Sequence, residues 1–450
     1  MMEFLTVGLP EDILKEEYSD NFGRALVLIE KKLKYELPEL LQLRLLYEKE
    51  RINRLLIDYP YTMKEAVEIA KDKIAGFTDI EFEKLFYEGM LDYIYINGEY
   101  HFESRFVENL GFSYKHYKDR IVQEDSVKKS KKLLDERLTA LINGDMPKTY
   151  KVHARITLYP DYSKILGETI KVWLPVPKKE FQIKNVKIID VSHENFVLSP
   201  KEIFQNTIYF EDDVANKNDF YVEFEYEVCE WVNRVELDEV EEYFPKKLKQ
   251  YTLEKPPHIL FTPYLKSLAY QIVGKESNPY LKAKLIYDWI TTHVSYSYVK
   301  PYGTYETIPQ FVATNLKGDC GFQALLFITM CRIVGIPTRW QSGWYINKYF
   351  ASPHDWALFY VQPYGWLPAD LSFGGARREE DKKREFYFGN LDGFRMVANT
   401  EFMEQFYPNK NFWRSDPYDN QVGEVETEIE NVYYDKFKYS IEVLNFVEVE

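Results

Sequence analysis

Cysteine is scarce in this chain, which has 450 residues but only Cys229, Cys320 and Cys331. No two of them form a CxxC pair, and the chain contains neither an HExxH motif nor an EF-hand loop. Such motifs supply the ligands of common zinc and calcium sites. The sequence therefore predicts no metal site, and nothing in it indicates another cofactor.

Basic residues are also fewer than acidic residues. The chain has 57 Lys and Arg residues against 72 Asp and Glu residues, which leaves a net charge of −15. Nonspecific binding to nucleic acid or to anionic membranes depends on clustered Lys and Arg. The Lys-rich stretches at 128–132 and 382–384 are short and have acidic neighbours. We therefore expect solvated helix faces there, and no nucleic-acid partner.

Long apolar runs are missing as well. The opening segment, MMEFLTVGLPEDILKEEYSD, has no basic region, no extended apolar region and no small-residue cleavage site. No later stretch is apolar for long enough to span a bilayer. These features predict no membrane insertion and a cytoplasmic location, where a reactive thiol stays reduced. An exported form whose signal had been removed would show the same sequence.

The pattern of apolar residues predicts an α+β protein of three domains. Residues 1–147 are predicted to form a helical domain, with a capping box at Thr62 and Glu65. Residues 148–235 alternate with a period of two, which predicts a β-sandwich module. Residues 236–450 form the third domain, which holds Cys320 and has a C-terminal extension. Its final segment reads as a strand able to return to a sheet.

Cys320 occupies a special position, between Gly318-Asp319 and a helical pattern of apolar residues. This spacing puts it in the first turn of a helix. Free amide N–H groups and the helix dipole stabilise a thiolate there, so we expect a lowered thiol pKa. We interpret Cys320 as a nucleophile; the alternative is a buried structural thiol. Cys331 lies three helical turns further on, too far to bridge to Cys320.

An imidazole and a carboxylate follow in the order that a nucleophile needs, at His354 and Asp370. Residues from Trp356 to Tyr360 alternate like a strand that ends in a turn at Pro363, so a β-hairpin is predicted. A loop of odd length centred on Pro363 leaves Asp370 diagonal to His354 on one face of the sheet. A slip of one residue would turn Asp370 to the other face. We therefore predict an odd-length loop or a compensating bulge.

The segments GDCGFQALLFITMCRIVGIPTRW, HDW and GWLPADLSFG together resemble the transglutaminase-like superfamily of cysteine enzymes. The resemblance covers residues 255–400 and extends to the bacterial branch, whose members carry a β-sandwich module before the catalytic domain. It implies a papain-like core with Cys320 on a helix N-terminus and with His354 and Asp370 on adjacent antiparallel strands. Cys320 would be the nucleophile, His354 the base and Asp370 the residue that orients it.

The expected activity is hydrolysis of amide or peptide bonds, through a thioester, in a peptide or protein substrate. Two alternatives stay open: protein-glutamine acyl transfer, which cross-links proteins, and a non-catalytic binding scaffold that retains the fold. The oligomeric state is left open too.

An oxyanion hole would combine the Cys320 backbone N–H with one further donor. The resemblance implies a side chain from the segment before the cysteine. Three tyrosines are available there, namely Tyr298, Tyr302 and Tyr305. Gln310 and Gln323 remain alternatives. Trp340 and Arg395 are further candidates for contacts with the substrate.

Overall fold

The computed structural model of the protein describes residues 2–121, 123–299 and 307–449. The fold is α+β, as predicted, with helices and several antiparallel sheets. The chain forms two compact units: residues 1–123 with 255–258 and 295–307, and residues 124–254 with 259–294 and 308–450. Within the described ranges, every helix is too short or too polar to cross a bilayer.

The first unit is mainly helical. Its helices are α1 (Glu11–Tyr18), α2 (Phe22–Lys32), α3 (Glu39–Asp58), α4 (Met63–Lys73), α5 (Asp79–Tyr87), α6 (Phe106–Ser113) and α7 (Lys115–Lys118). The predicted capping box is formed at the start of α4, where the Thr62 hydroxyl accepts from the Glu65 N–H and the Glu65 carboxylate accepts from the Thr62 N–H.

A small antiparallel sheet was not predicted for this region. Its strands are β1 (Tyr61–Thr62), β2 (Tyr93–Ile96) and β3 (Glu99–Phe102), in the order β1-β3-β2. The turn between β2 and β3 is Asn97-Gly98, and both residues have positive φ, at 48° and 99°. Asn-Gly is the preferred pair for such a two-residue hairpin turn. The local turn chemistry thus explains the hairpin.

The second unit contains the remaining helices and most of the strands. Its helices are α8 (Asp125–Ile142), α9 (Pro263–Val273), α10 (Pro279–His293), α11 (Ile308–Asn315), α12 (Cys320–Ile333), α13 (Leu371–Gly375) and α14 (Asp381–Phe386). Its first strands are β4 (Thr149–Pro160), β5 (Thr169–Pro175), β6 (Ile183–Val191), β7 (Phe196–Leu198), β8 (Thr207–Asp213) and β9 (Phe220–Cys229). The short strand β10 (Ser295–Tyr296) belongs to the first unit. The other strands of the second unit are β11 (Lys317–Gly318), β12 (Thr338–Asn347), β13 (Phe350–Val361), β14 (Gly365–Ala369), β15 (Arg395–Asn399), β16 (Glu424–Thr427), β17 (Asn431–Val432) and β18 (Phe437–Val449).

Two of the sheets form the predicted β-sandwich. Their strand orders are β18-β4-β9-β6 and β17-β16-β5-β8-β7. The sheets face each other through apolar side chains, and the rings of Phe210 and Phe220 lie 6.1 Å apart between centroids. The inward residues of β4, which include Val152 and Ile156, are fully buried. Alternation with a period of two therefore indicated the buried face correctly.

The sandwich is not the continuous segment 148–235 that the sequence analysis delimits. Residues 424–449, which were assigned to the third domain, supply β16, β17 and β18 to it. β18 pairs with β4 from Phe437↔Pro160 to Val449↔Thr149. Without these strands β4 and β5 would be exposed edges. Helix α8 also differs from its predicted place in residues 1–147, because Arg137 forms a buried ion pair with Glu230 after β9.

A third large sheet lies at the centre of the second unit, with the order β14-β13-β12-β15 and antiparallel pairing throughout. Helix α12 packs on this sheet, where the rings of Phe327 and Phe359 contact each other at 6.0 Å. Every residue of α12 is buried. The cysteine helix is therefore held rigidly against the strands that carry His354.

Candidate active site

Cys320 is the first residue of α12, as predicted. Asp319 is the N-cap residue, and its carboxylate accepts a hydrogen bond from the Phe322 N–H at 3.0 Å. Gly318 allows this tight approach, because a Cβ atom there would lie 2.7 Å from the Cβ of Phe322. The turn that presents the thiol therefore depends on a glycine followed by a capping aspartate.

The thiol contacts a carboxyl group that was not singled out from the sequence. The Sγ atom of Cys320 donates to Oδ2 of Asp355 at 3.1 Å. Burial raises the pKa of the Cys320 thiol well above its ordinary value, and the charges of Asp355 and Asp319 add to this effect. The expected lowering of the thiol pKa by the helix N-terminus is therefore wrong for this conformation, since desolvation and two acidic neighbours outweigh the helix dipole.

The hairpin that carries His354 has the predicted parity. Strands β13 and β14 pair from Ala357↔Ala369 to Val361↔Gly365. The loop between them is Gln362-Pro363-Tyr364, which has three residues and is centred on Pro363. Continuing the register by one residue beyond Ala357↔Ala369 puts Trp356 opposite Asp370. Asp370 is therefore diagonal to His354 on the same face.

His354 and Asp370 are brought together. Nε2 of His354 lies 2.7 Å from Oδ2 of Asp370, and both side chains are buried. Asp370 follows β14 directly and caps α13, where it accepts from the Phe373 N–H at 3.0 Å. Burial opposes ionisation of Asp370, but the charges of His354 and Arg395 outweigh it and lower the pKa of the carboxyl. Asp370 is therefore an ionised partner that fixes the imidazole.

Cys320 and His354 are not joined directly. Among the hydrogen bonds of the described residues, none links the thiol to the imidazole. The thiol bonds Asp355, the next residue along β13 after His354, and the imidazole bonds Asp370. Because successive strand residues project to opposite faces, the two contacts diverge at this point of β13.

Arg395 lies behind Asp370, and its side chain has no solvent exposure. Its guanidinium donates to Oδ2 of Asp370 at 2.9 Å and to Oδ1 of Asp392 at 3.0 Å. It also lies 4.5 Å from the centroid of the Phe373 ring. The expectation that Arg395 contacts the substrate is therefore wrong, because a fully buried side chain held by two carboxylates cannot line a cleft. Arg395 instead positions Asp370.

Trp340 is also fully buried. Its ring packs against Phe402 at 6.0 Å, and its indole N–H lacks a hydrogen-bond partner among the described residues. A fully buried side chain does not form an open cleft wall, so the structure does not support the predicted role of Trp340 in contacting substrate. The side-chain amide of Gln323 is already used, because it donates to the carbonyl of Gly318, just before α12, at 2.9 Å.

Of the predicted tyrosine donors, one belongs to the first unit and two lie outside the described residues. Tyr298 belongs to the first unit, where its N–H donates to the Asn109 side chain and Arg105 stacks 4.1 Å from its ring centroid. Tyr302 and Tyr305 lie outside the described residues. The second donor of an oxyanion hole therefore stays a prediction.

Sequence pattern did not indicate a group of polar residues beside Cys320. Gln421 donates to Oδ1 of Asp355 at 2.7 Å and to the backbone carbonyl of His354 at 3.1 Å. Asp419 shares a hydrogen bond with Asp355. Asp355 could have been noticed as the middle residue of the HDW segment. The loop between β15 and β16, which carries the other two residues, has no motif that indicates such a role.

The transglutaminase-like superfamily model matches residues 266–371. These residues form a transglutaminase-like core. The match spans α12, the hairpin and the capping aspartate, and so includes Cys320, His354 and Asp370. In the described part of the chain, no group of three or more His, Cys, Asp or Glu side chains is arranged to hold a metal ion.

A protein of Haemophilus influenzae, described as uncharacterized, is 26% identical over 173 residues. That alignment covers 32% of this chain and 47% of the relative, so the chain spans about half the length of the curated relative that it matches.

Solved structures give more distant matches. A candidate cysteine protease from Cytophaga hutchinsonii is 17% identical, with a TM-score of 0.43 and coverage of 67% of this chain and 92% of that one. The periplasmic domain of TgpA from Pseudomonas aeruginosa is 14% identical, with a TM-score of 0.29 and coverage of 54% of this chain and 95% of that one.

Proposed function

We propose that this protein is a cysteine-dependent hydrolase that cleaves amide or peptide bonds through a thioester acyl-enzyme. One observation carries the proposal: within a transglutaminase-like core, a cysteine at a helix start contacts the strand residue next to a histidine that is fixed by an ionised aspartate. In this proposal Cys320 is the nucleophile, His354 is the acid and base, and Asp370 orients His354.

The reaction begins when the thiol proton passes to His354 and the Cys320 sulfur attacks the carbonyl carbon, forming a C–S bond. In this proposal the backbone N–H of Cys320, at the start of α12, stabilises the oxyanion. Collapse of this intermediate breaks the C–N bond, and His354 gives its proton to the leaving amine. Water then attacks the thioester and forms a C–O bond while His354 takes one of its protons. The C–S bond breaks, the acid product leaves, and His354 returns the proton to the sulfur, which restores the thiol.

For this chemistry the thiol must turn from Asp355 toward His354. The resting contact between Cys320 and Asp355, together with the raised thiol pKa, supports one rival, the non-catalytic scaffold. Acyl transfer is the other rival, and it differs from hydrolysis only in the acceptor of the acyl group. The rate of thiol alkylation separates either enzyme from the scaffold, and a second measurement separates hydrolysis from acyl transfer.

The test is alkylation of the native protein with iodoacetamide, followed by peptide mass spectrometry. Cys331 is a matched control in the same helix, because it is fully buried, burial raises the pKa of its thiol, and it lies about three helical turns beyond Cys320. We expect Cys320 to react at least about tenfold faster than Cys331, and the H354A variant to remove most of that difference. Equal rates that ignore His354 would overturn the proposal in favour of the scaffold.

The nature of the acceptor needs a second measurement. Casein is incubated with the protein and a fluorescent primary amine, with C320S and C331S as paired variants. We expect casein fragments that appear with wild type and C331S and disappear with C320S. Incorporation of the amine without fragments would instead indicate acyl transfer.

A further inference from the structure

Asp355 occupies a place that the proposed reaction does not explain. Its carboxyl touches the reacting sulfur, with Oδ2 at 3.1 Å from Sγ, while Oδ1 accepts from Gln421 at 2.7 Å. Asp355 is 6% exposed and Cys320 is 8% exposed, so water competes little for this contact. A carboxylate acceptor stabilises the protonated thiol and opposes the thiolate.

The surroundings of Asp355 are themselves acidic. Two charges raise the pKa of its carboxyl: those of Asp419, from the loop before β16, and Asp319, the N-cap of α12. Asp419 in turn is influenced by Arg414 and Glu424. Burial raises the pKa of the Asp355 carboxyl well above its ordinary range, and these like charges add to the effect. A carboxyl of this kind is ready to take up a proton.

We propose that Asp355 is a further residue of the active site and the proton partner of the Cys320 thiol. In the resting state the proton is on sulfur, and the S–H group donates a hydrogen bond to the ionised carboxyl. When the proton moves to Oδ2, the S–H bond breaks, an O–H bond forms, and the negative charge passes from the carboxyl to sulfur. The neutral carboxyl then donates to the thiolate.

A role for Asp355 in catalysis rests on the proposed function. The proton exchange between Asp355 and Cys320 does not, because it needs no substrate. Gln421 sets the geometry, because it binds both Oδ1 of Asp355 and the carbonyl of His354. Asp355 and Gln421 thereby hold the thiol against β13, at the residue that follows His354. The thiol has two proton acceptors within one step of the strand, and Asp355 is the one that it contacts at rest.

The test is a titration of the thiolate by its ultraviolet absorbance, taken as the difference between each protein and its C320S counterpart. D355N keeps the shape of the side chain but cannot ionise. Removing a negative charge in contact with sulfur favours the thiolate, so we expect the midpoint of the Cys320 titration in D355N to lie at least about one pH unit below that of wild type. D355E restores a carboxyl and should bring the midpoint back toward wild type. A midpoint that is unchanged or higher in D355N would overturn the proposal.

Two controls keep this result interpretable. D381N removes an exposed acid from α14 and should leave the midpoint unchanged. Folding is checked through Cys331, which is fully buried and should resist thiol reagents in every variant. If D355N fails this check, D355S takes its place with the same expected shift. A lowered midpoint without casein cleavage would refute the hydrolase but leave the Asp355 partnership standing; cleavage with an unshifted midpoint would do the reverse.

Discussion

Replacement of Arg395 by glutamine should destabilise the second unit by about 3–5 kcal/mol, the usual cost of removing one partner from a buried ion pair. Arg395 has no solvent exposure and holds two carboxylates that are equally buried, Asp370 at 2.9 Å and Asp392 at 3.0 Å. Glutamine can donate to only one of them and carries no charge. The variant therefore leaves buried negative charge without compensation.

The same change should make the protein more sensitive to acid. Arg395 contributes, after His354, to the lowered pKa of Asp370. A carboxyl whose pKa is lower in the folded state stabilises that state above its ordinary value of 3.8, and this contribution is lost as the pH falls through the folded value. Without Arg395 the folded pKa rises, so R395Q should lose stability at a higher pH than wild type.

Urea denaturation followed by tryptophan fluorescence measures this effect selectively, because all eight tryptophans belong to the second unit. K129Q is the control. Lys129 pairs with Asp125 on α8, and both side chains are exposed, at 57% and 78%. An exposed pair contributes little to stability, so K129Q should change little. If R395Q lost no more stability than K129Q, the Arg395 network would not be what stabilises the second unit.

Three further changes test other parts of the structure. Burial lowers the pKa of His258 to about 3, so between about pH 6.5 and pH 3 only the unfolded state binds a proton on this imidazole. As the pH falls through this range, wild type should lose up to about 1.4 kcal/mol of stability per pH unit relative to H258Q. Calorimetry of the two proteins measures this difference. Gly343 on β12 pairs with His354, and a Cβ atom on it would lie 2.0 Å from the Met396 carbonyl oxygen on β15. G343A should therefore cost at least about 1–3 kcal/mol in urea and slow Cys320 alkylation, whereas G23A, with open space around it, should be neutral or stabilising. T62A should cost about 1 kcal/mol through loss of the α4 cap, measured by circular dichroism; no loss would mean that the cap is not needed.

The hairpin shows how far local pattern can reach. Alternation before Pro363 indicated the hairpin, and an odd loop or a compensating bulge was the condition for His354 and Asp370 to share a face; the loop has three residues. Parity along one hairpin concerns only a short stretch of chain, which is within reach of local pattern. The helix start at Cys320 was predictable for the same reason, since glycine, a capping aspartate and apolar spacing all lie within one turn.

The contacts between distant segments were less accessible. Asp355 was visible in the sequence, but its role depends on Gln421 and Asp419, which are more than sixty residues away in a loop without regular structure. The predicted thiol pKa failed because a helix start is a local feature, whereas burial depends on the whole unit. Arg395 was misplaced because its two partners are decided by the packing of β15 beside β12.

The pairing of β18 with β4 has a consequence for synthesis of the chain on the ribosome. Val449 lies opposite Thr149, so β4, an inner strand of its sheet, pairs with a strand that is synthesised 300 residues later. Translation proceeds at about 5–20 residues per second, which leaves that edge open for roughly 15–60 seconds. Until then the sandwich cannot close, because β4 lacks one of its two neighbours. We expect nascent chains that stop before residue 437 to be more prone to aggregate than chains that include β18.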